Sequence, residues 1–307
     1  MLSTKQISPL ESEFNSMNIR LHSSKTVFII AGISLICSLA IPIIADAGGI
    51  SVDAGLTPPL DRWIVRTQLR FMQRINDPTP MNRDMDMYMF PLVIAYGLRP
   101  NLTVMIKQPY MSSEMTMDGH TSKASGLGDL FVLAKYRAYR LNTPEYTLGI
   151  APAIGLNIPS GHEDITADVW NLTTGLFFSW RSGFWASDVN IDYTDKGLAG
   201  VGEKDVDPGN ELGLNLAFAY QIPVGPGGKS AIAPVLELNY AHIGVDILDG
   251  HDIINTGESI LYFSPGVKFT ASSIVLELLI QNPVTQTQKG SQLERGTGVI
   301  VGTRLFF

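Results

Sequence analysis

The last twelve residues, Gly296–Phe307, have the sequence GTGVIVGTRLFF, and this stretch decides the fold. Four of its apolar side chains fall on alternate positions, at Val299, Val301, Leu305 and Phe307. A period of two is that of a β-strand, in which successive side chains point to opposite faces, and not that of a helix. The chain is therefore predicted to end in a strand whose last residue is aromatic.

Turn and loop signals divide the chain before this strand into eleven further segments of similar length. The twelve predicted strands cover residues 63–75, 87–98, 102–112, 127–140, 145–158, 169–181, 184–194, 210–222, 230–242, 259–270, 273–282 and 297–307. Short connections, such as Arg99–Asn101, alternate with longer ones, such as residues 113–126. An even number of strands with alternating short and long connections is typical of outer-membrane β-barrels.

Most of the predicted strands have one apolar and one polar face. In the strand at 127–140, Leu130 and Ala134 lie on the face opposite to Asp129 and Lys135. The apolar face would be the core of a soluble β-sandwich, whereas in a membrane barrel it faces lipid and the polar face lines the lumen. Periodicity alone does not separate these folds. The connection lengths, the terminal phenylalanine and the N-terminal residues favour the barrel.

Composition excludes two other classes of protein. The formal charge of −7 over 307 residues does not suggest a nucleic-acid partner. The mean hydropathy is slightly positive, which is high for a soluble protein and too low for a bundle of membrane helices. After residue 45 no apolar run approaches the roughly 20 residues that a spanning helix needs.

Residues 1–47 are predicted to be an N-terminal extension and signal peptide. An apolar run, Val27–Ile44, follows basic residues and ends at an A-x-A cleavage site. We expect cleavage after Ala47, with translation from either Met1 or Met17. A retained membrane anchor is the alternative.

The rest of the chain divides into two predicted parts. Residues 48–62 are rich in Gly and Pro and are expected to form a periplasmic lead-in, and residues 63–307 to form the barrel. Cys37, the only cysteine, lies in the apolar run, so the mature chain has no thiolate for a disulfide or metal site. It also has no metal-ligand spacing, P-loop or complete dinucleotide fingerprint, so neither a cofactor nor a metal is predicted.

Charged residues on the polar faces are the predicted lining of a pore. They are Arg66, Arg70, Lys107, Asp129, Lys135, Arg137, Asp188, Asp192, Glu237, Lys268, Glu277 and Arg304. Basic residues come mainly from the first, third, fourth and last strands and acidic residues from later strands, which predicts a basic wall facing an acidic one. Such walls would set a transverse field across a water-filled pore. Alternatively, the charges pair across a narrow lumen and close it, although twelve strands leave more room than eight.

Histidines are the remaining candidates for catalysis. Those after residue 47 are His120, His162, His242 and His251, and all fall in or beside predicted outer loops. Two of them have carboxylates as sequence neighbours, as a hydrolase could use. Neighbours on a loop need not share a site, so no catalytic residue is predicted.

Several motifs together resemble a known family. Gly126-Leu127-Gly128-Asp129 runs into Ala134-Lys135-Tyr136-Arg137, and the next apolar strand ends in GLNIPSG at residues 155–161. With DAGLTPP at residues 53–59 and WIVR from Trp63, they resemble the outer-membrane family "putative MetA-pathway of phenol degradation". This resemblance implies a monomeric membrane barrel that passes aromatic or other small hydrophobic compounds. The strand ending in Phe307 resembles the C-terminal signal of bacterial outer-membrane barrels, which implies the barrel-assembly machinery as a partner.

We therefore predict an all-β protein, a transmembrane antiparallel up-and-down β-barrel of about twelve strands, in the lipid of the bacterial outer membrane. Its expected role is diffusive uptake of small molecules, aromatic or hydrophobic compounds among them. An outer-membrane hydrolase that uses the loop histidines and a sealed structural barrel are the alternatives.

Overall fold

The computed structural model describes residues 48–166, 169–197 and 206–307. The predicted signal peptide, its cleavage site, both start sites and Cys37 lie outside these ranges. Within them, no helix has the length and apolar character needed to cross a bilayer.

Twelve antiparallel strands form one sheet that closes on itself. Around the barrel they are β1 (Trp63–Ile75), β2 (Asp84–Arg99), β3 (Leu102–Met117), β5 (Leu130–Tyr136), β7 (Thr147–Ile158), β8 (Asn171–Ser182), β9 (Trp185–Lys196), β11 (Glu211–Tyr220), β13 (Ser230–Ile243), β16 (Glu258–Ala271), β17 (Ile274–Gln288) and β19 (Gly298–Phe306). Shorter elements at the barrel ends are β4 (His120–Leu127), β6 (Tyr139–Asn142), β10 (Val206–Asp207), β12 (Ile222–Val224), β14 (Ile247–Leu248), β15 (His251–Asp252), β18 (Glu294–Arg295) and a 3-10 turn at Pro226–Gly228. The predicted fold class is confirmed.

The C-terminal strand closes the barrel, as its sequence predicts. Strand β19 pairs with β1 from Ile64↔Phe306 to Phe71↔Val299, and on its other side it pairs with β17. Closure gives each of the twelve strands a partner on both sides, which is a requirement in lipid because no water is present there to satisfy main-chain groups.

One predicted strand, at residues 127–140, is interrupted. Strand β5 ends at Tyr136 and β6 begins at Tyr139. The pairing with β7 changes from Lys135↔Ala153 to Tyr139↔Ile150, so one extra residue lies on this side, as in a β-bulge.

Side-chain burial gives the orientation of the two faces. Large apolar side chains on the outward face are 40–50% exposed, and they include Leu176, Phe218, Leu236 and Leu276. Charged side chains on the inward face are buried, and Asp188, Glu237 and Lys268 are 0% exposed. This arrangement is the reverse of a soluble β-sandwich and is that of a barrel whose outer surface contacts lipid.

A charge on the outward face tests this orientation. Leu278 points outward from β17, four residues after its first residue, and is 41% exposed. We expect Leu278→Arg to lower the free energy of unfolding by about 2–4 kcal/mol, as a lipid-facing Arg does at the bilayer midplane. The measurement is a urea titration in phospholipid vesicles. Ile274→Arg, on the same face beside the turn before β17, should lower it by only about 0–1 kcal/mol, because Arg there reaches the interface. Equal losses would contradict the assigned depth.

Candidate functional site

The interior of the barrel contains residues 48–55, which precede β1 and which we call the inner segment. Its side chains at Ile50 and Val52 are 0% and 2% exposed. Ile50 packs in one cluster with inward-facing residues of five strands, namely Ala186, Ala219, Val235, Leu279 and Ile300. The sequence predicts a periplasmic lead-in for residues 48–62 and does not indicate any of these contacts.

Carboxylates of the barrel wall accept hydrogen bonds from the main chain of the inner segment. Gly49 N donates to Asp188 Oδ2 at 3.0 Å. The N–H groups of Ile50 and Ser51 both donate to Glu237 Oε1, the second at 3.1 Å, and the Ser51 hydroxyl donates to the other oxygen. An extended chain has no partners of its own for these groups, so the wall carboxylates supply them.

Cationic side chains bind the carbonyl groups of the same segment. Lys268 Nζ donates to Gly48 O, and Arg304 Nη2 donates to Gly49 O at 3.2 Å. Further along, Lys135 Nζ donates to Ala54 O at 2.5 Å. Five predicted pore-lining residues, on β5, β9, β13, β16 and β19, therefore hold one short segment across the barrel.

Glycines of the wall make room for this segment. A Cβ on Gly266 would lie 3.0 Å from Ile50 Cδ1, and one on Gly149 would lie 2.7 Å from Leu56 Cδ2. A Cβ on Gly149 would also lie 3.2 Å from the main-chain oxygen of Gly55, so glycine at this position helps the inner segment to pass close to β7.

Glu277 is the centre of a buried ion-pair network. Its Oε1 is 2.6 Å from Arg304 Nη2, and its Oε2 is 3.2 Å from Arg66 Nη2. Gln68 Nε2 donates to the same Oε2 at 3.1 Å. Because β17, β19 and β1 are neighbours, this carboxylate lies among the basic residues. The expected separation into a basic and an acidic wall is therefore not present here, and charges pair along the wall.

Three other predicted residues also face the interior. Arg70 Nε donates to Gln68 Oε1 at 2.9 Å, and Asp192 accepts a hydrogen bond from Asn215 at 3.3 Å. Lys107 Nζ lies 4.8 Å from the centroid of the Phe131 ring, within the range of a cation–π contact.

Asp129 and Arg137 do not join this group. Asp129 precedes β5 and accepts hydrogen bonds from the main-chain N–H groups of Ser160 and Gly161, at 3.2 and 3.0 Å, in the following outer loop. Arg137 lies in the interruption between β5 and β6 and donates to Pro100 O at 2.7 Å. Asp129 therefore holds the loop after β7 in place, and Arg137 holds the β2–β3 turn.

The interior also contains apolar side chains that the sequence analysis did not assign to it. Leu133, Ala151, Ala153 and Phe177 form a buried cluster, with Met105 and Phe131 packed against it. Lys135 Nζ lies 5.2 Å from the centroid of the Phe177 ring. Leu133 lies two residues before Lys135 and therefore on the same face of the strand, so strand alternation predicts that it points inward. In the same way, Gln68 lies between Arg66 and Arg70 on one face of β1, so strand alternation predicts that it points inward too.

The histidines do not form a recognisable catalytic site. His120, His162, His242 and His251 lie on β4, in the loop after β7, on β13 and on β15. His242 Nδ1 is 2.7 Å from Ser259 Oγ on the outward face, and His162 pairs with Asp164 at 3.6 Å. In the described part of the chain, no three His, Cys, Asp or Glu residues are grouped as a metal site.

An outer loop, residues 76–83, is closed by one ion pair. Asp77 accepts hydrogen bonds from Arg83 Nη2 at 2.7 Å and from Arg83 N at 2.8 Å, and its side chain is 3% exposed. The guanidinium of Arg83 is the main reason that the pKa of Asp77 is held well below its ordinary value.

This pKa shift predicts how the loop responds to acid. A carboxyl group whose pKa is lowered by folding stabilises the folded state above its unfolded pKa, and this contribution is lost as pH falls through the folded pKa. We therefore expect the loop to remain closed at pH 5 and to open only in stronger acid, below about pH 4. Amide hydrogen exchange across residues 76–83 measures this, and Asp77→Asn should open the loop at every pH. Opening already between pH 6 and pH 5 would contradict the assignment.

Comparisons with known proteins agree on the fold and on a family. The model of the family described as "putative MetA-pathway of phenol degradation" matches residues 88–293. The crystal structure of the COG4313 outer membrane channel from Pseudomonas putida F1 has a TM-score of 0.62 at 17% identity, over 84% of this chain and 100% of that one. The β domain of the Bordetella autotransporter Brka has a TM-score of 0.47 at 14% identity, over 81% of this chain and 100% of that one. The KdgM porin has a TM-score of 0.41 at 12% identity, over 79% of this chain and 98% of that one. No protein of curated function matches the sequence. The chain forms a closed barrel with an apolar outer face, and its fold is similar to that of outer-membrane proteins. It therefore lies in the bacterial outer membrane, as predicted.

Proposed function

We propose that this chain, which belongs to the family "putative MetA-pathway of phenol degradation", is an outer-membrane channel. Its role in this proposal is the passive uptake of small aromatic or apolar molecules. The observation that carries the proposal is an interior that is both charged and apolar. A structure of similar fold that is named as an outer membrane channel supports the transport role.

The apolar cluster inside the barrel favours this class of solute. Phe131, Leu133 and Phe177 face inward, where a pore for ions or sugars would present polar groups to water. Sites for small organic molecules are mostly apolar, with a few charged or polar groups that fix orientation. Lys107 and Lys135, over two of the inward rings, are such groups.

The inner segment is, in this proposal, the gate. Passage of a solute requires the segment to leave the contacts with Asp188, Glu237 and Lys268. The predicted pore-lining residues would then have two roles: they hold the segment in the closed state and line the lumen in the open state.

The N-terminal and C-terminal assignments complete the proposal. We propose that residues 1–47 are removed as a signal peptide, that the inner segment is the gate and that residues 56–62 lead from it into β1. We also propose that the last strand is recognised by the barrel-assembly machinery. Phe307 N donates to Trp63 O at 3.0 Å, so the terminal residue lies at the seam where the barrel closes.

Current block tests the choice of solute. We expect the full-length mature chain to conduct in planar bilayers, and we expect 4-hydroxybenzoate to reduce the current where glucose at the same concentration does not. Equal block by both compounds would contradict an aromatic preference. Silence at all voltages would support the sealed barrel. Replacing the four loop histidines by Ala should leave the current unchanged, and hydrolysis of an ester that is lost in this variant would support the hydrolase.

Ion selectivity tests the role of the lumen cations. Arg70→Gln with Lys107→Gln should shift the reversal potential in a salt gradient towards cation selectivity. One unit charge about 8 Å from a passing ion in water contributes ~0.5 kcal/mol, or about a twofold change in the permeability ratio for each residue. Arg99→Gln, in the β2–β3 turn, is the matched control and should not shift the potential. An unchanged potential in the double variant would remove these residues from the conduction path.

A further inference from the structure

A cavity of about 200 Å³ lies between the chain before β1 and the barrel wall, at the end that carries the short turns. Its apolar lining includes Leu56, Pro58, Trp63, Met105, Leu133 and Phe306. An apolar protein cavity of about 150 Å³ accepts benzene, so this one has room for a single aromatic ring and a small substituent.

The charge of this cavity is unbalanced. Five cationic side chains line it, on Arg62, Arg66, Lys135, Arg181 and Arg304, together with one carboxylate, on Asp53. Two buried carboxylates behind the lining, Glu277 and Asp188, pair with Arg66, Arg304 and Arg181. Among these side chains, two positive charges therefore remain in excess.

Lys135 is the cation best placed to bind an anion. In the described chain it makes no ion pair with a carboxylate, and its Nζ donates to the main-chain carbonyl of Ala54 and lies over the Phe177 ring. A partly buried ammonium group is more stable with a charged acceptor than with a neutral one.

Asp53, the carboxylate in the cavity lining, makes only a weak contact with the cations around it. Its Oδ1 is 3.9 Å from Arg66 Nη1, which is longer than a hydrogen bond, and its side chain is 44% exposed. A carboxylate that is not tethered to the inner segment could approach Arg66 more closely than this one does.

We propose that the cavity binds a small organic monoanion with an apolar body, of the size of one aromatic ring with one carboxylate. The carboxylate contacts Lys135 and Arg66 in place of Asp53, and the ring packs against Leu133 and Phe306. This inference rests on the proposed channel function and narrows its solute class. Because Asp53 and Ala54 belong to the inner segment, occupation of the cavity removes two of the contacts that hold the segment.

Calorimetric titration of the mature protein in lipid nanodiscs tests the site with three probes. Benzoate has both groups, benzyl alcohol lacks the charge and acetate lacks the ring. We expect benzoate to bind at least about tenfold more tightly than either of the others, as for a lost charge-assisted hydrogen bond. Equal affinity for benzoate and benzyl alcohol would overturn the proposal.

Variants locate the binding. Lys135→Gln should weaken benzoate about tenfold, and Asp53→Asn should strengthen it severalfold because the competing carboxylate is gone. Asp61→Asn is the matched control: this residue is in the same stretch but bonds Tyr96 Oη at 2.6 Å and is not part of the cavity lining. Benzoate binding that is insensitive to both Lys135 and Asp53 would overturn the site. A protein that conducts but binds no benzoate would overturn only this site, whereas one that binds benzoate and never conducts would overturn only the channel.

Discussion

A chain that lacks residues 48–55 is expected to conduct severalfold more current per channel than the full mature chain. The inner segment bonds to at least five strands of the barrel, and the wall residues that it covers include the small residues Ala186, Ala219 and Gly266. Without the segment, water fills the space. Asp188 keeps its ion pair with Arg181. Glu237 loses the bonds from Ile50 and Ser51 and is then hydrated, so the deletion should not prevent folding.

A reversible lock separates gating from any defect caused by the deletion. Ser51 Oγ is 3.2 Å from Asn239 Nδ2, so the two side chains are in contact, and cysteines at these positions are the pair to test for a disulfide. In a Cys37→Ser background, Ser51→Cys with Asn239→Cys should be held at low conductance when oxidised and should recover when reduced. Ser51→Cys alone is the control and should not respond to reductant. Equal conductance of the deletion variant, the locked variant and the parent would show that the inner segment does not limit the current.

The strands could be predicted because the alternation of apolar and polar side chains depends only on residues that are close together in sequence. Alternation along each strand follows from the pleat, and it fixes which side chains share a face whichever fold contains them. The orientation of the faces required the connection lengths and the closing strand as well. Parity also placed Asp188, Glu237 and Lys268 inward without any knowledge of their partners.

The inner segment could not be predicted, because its bonds join main-chain groups to distant side chains. Gly49 N and its acceptor on Asp188 are 139 residues apart in sequence, and Ile50 N and its acceptor on Glu237 are 187 residues apart. Small residues such as Gly49, Ser51 and Ala54 leave the main chain of the segment accessible. Every residue type except proline carries the same N–H and C=O groups, however, so the sequence does not reveal their partners. Only the closed barrel brings the partners together.

Asp129 is a second residue whose position could not be predicted from the sequence. It has the parity of Lys135, and an uninterrupted strand at 127–140 would point it into the lumen. Strand β5 begins one residue later, at Leu130, so the Asp129 carboxylate lies in the bend and bonds the next loop. Strand boundaries depend on competition between ladder and turn hydrogen bonds, which side-chain polarity does not reveal.

Glu277→Gln is expected to have the largest effect on stability of any single change considered. The substitution leaves Arg66 and Arg304 buried with no charged partner on β17. Breaking a buried ion pair by removing one member typically lowers the free energy of unfolding by about 3–5 kcal/mol. Guanidinium titration in detergent micelles, followed by the mobility shift of folded barrels on unheated gels, measures the loss. Glu277→Gln with Arg304→Gln should recover part of it, because one unpaired charge is removed as well.

An exposed ion pair on the same barrel is the matched control for this change. Glu114 and Lys123 are 2.7 Å apart with 45% and 68% of their side chains exposed, so Glu114→Gln should lower the free energy of unfolding by at most about 1 kcal/mol. The comparison also reports on the interior itself. The large loss at Glu277 requires a network shielded from water by the inner segment. If both substitutions have the same small effect, the cations around Glu277 are solvated, and the barrel in solution is open along its length with the segment outside.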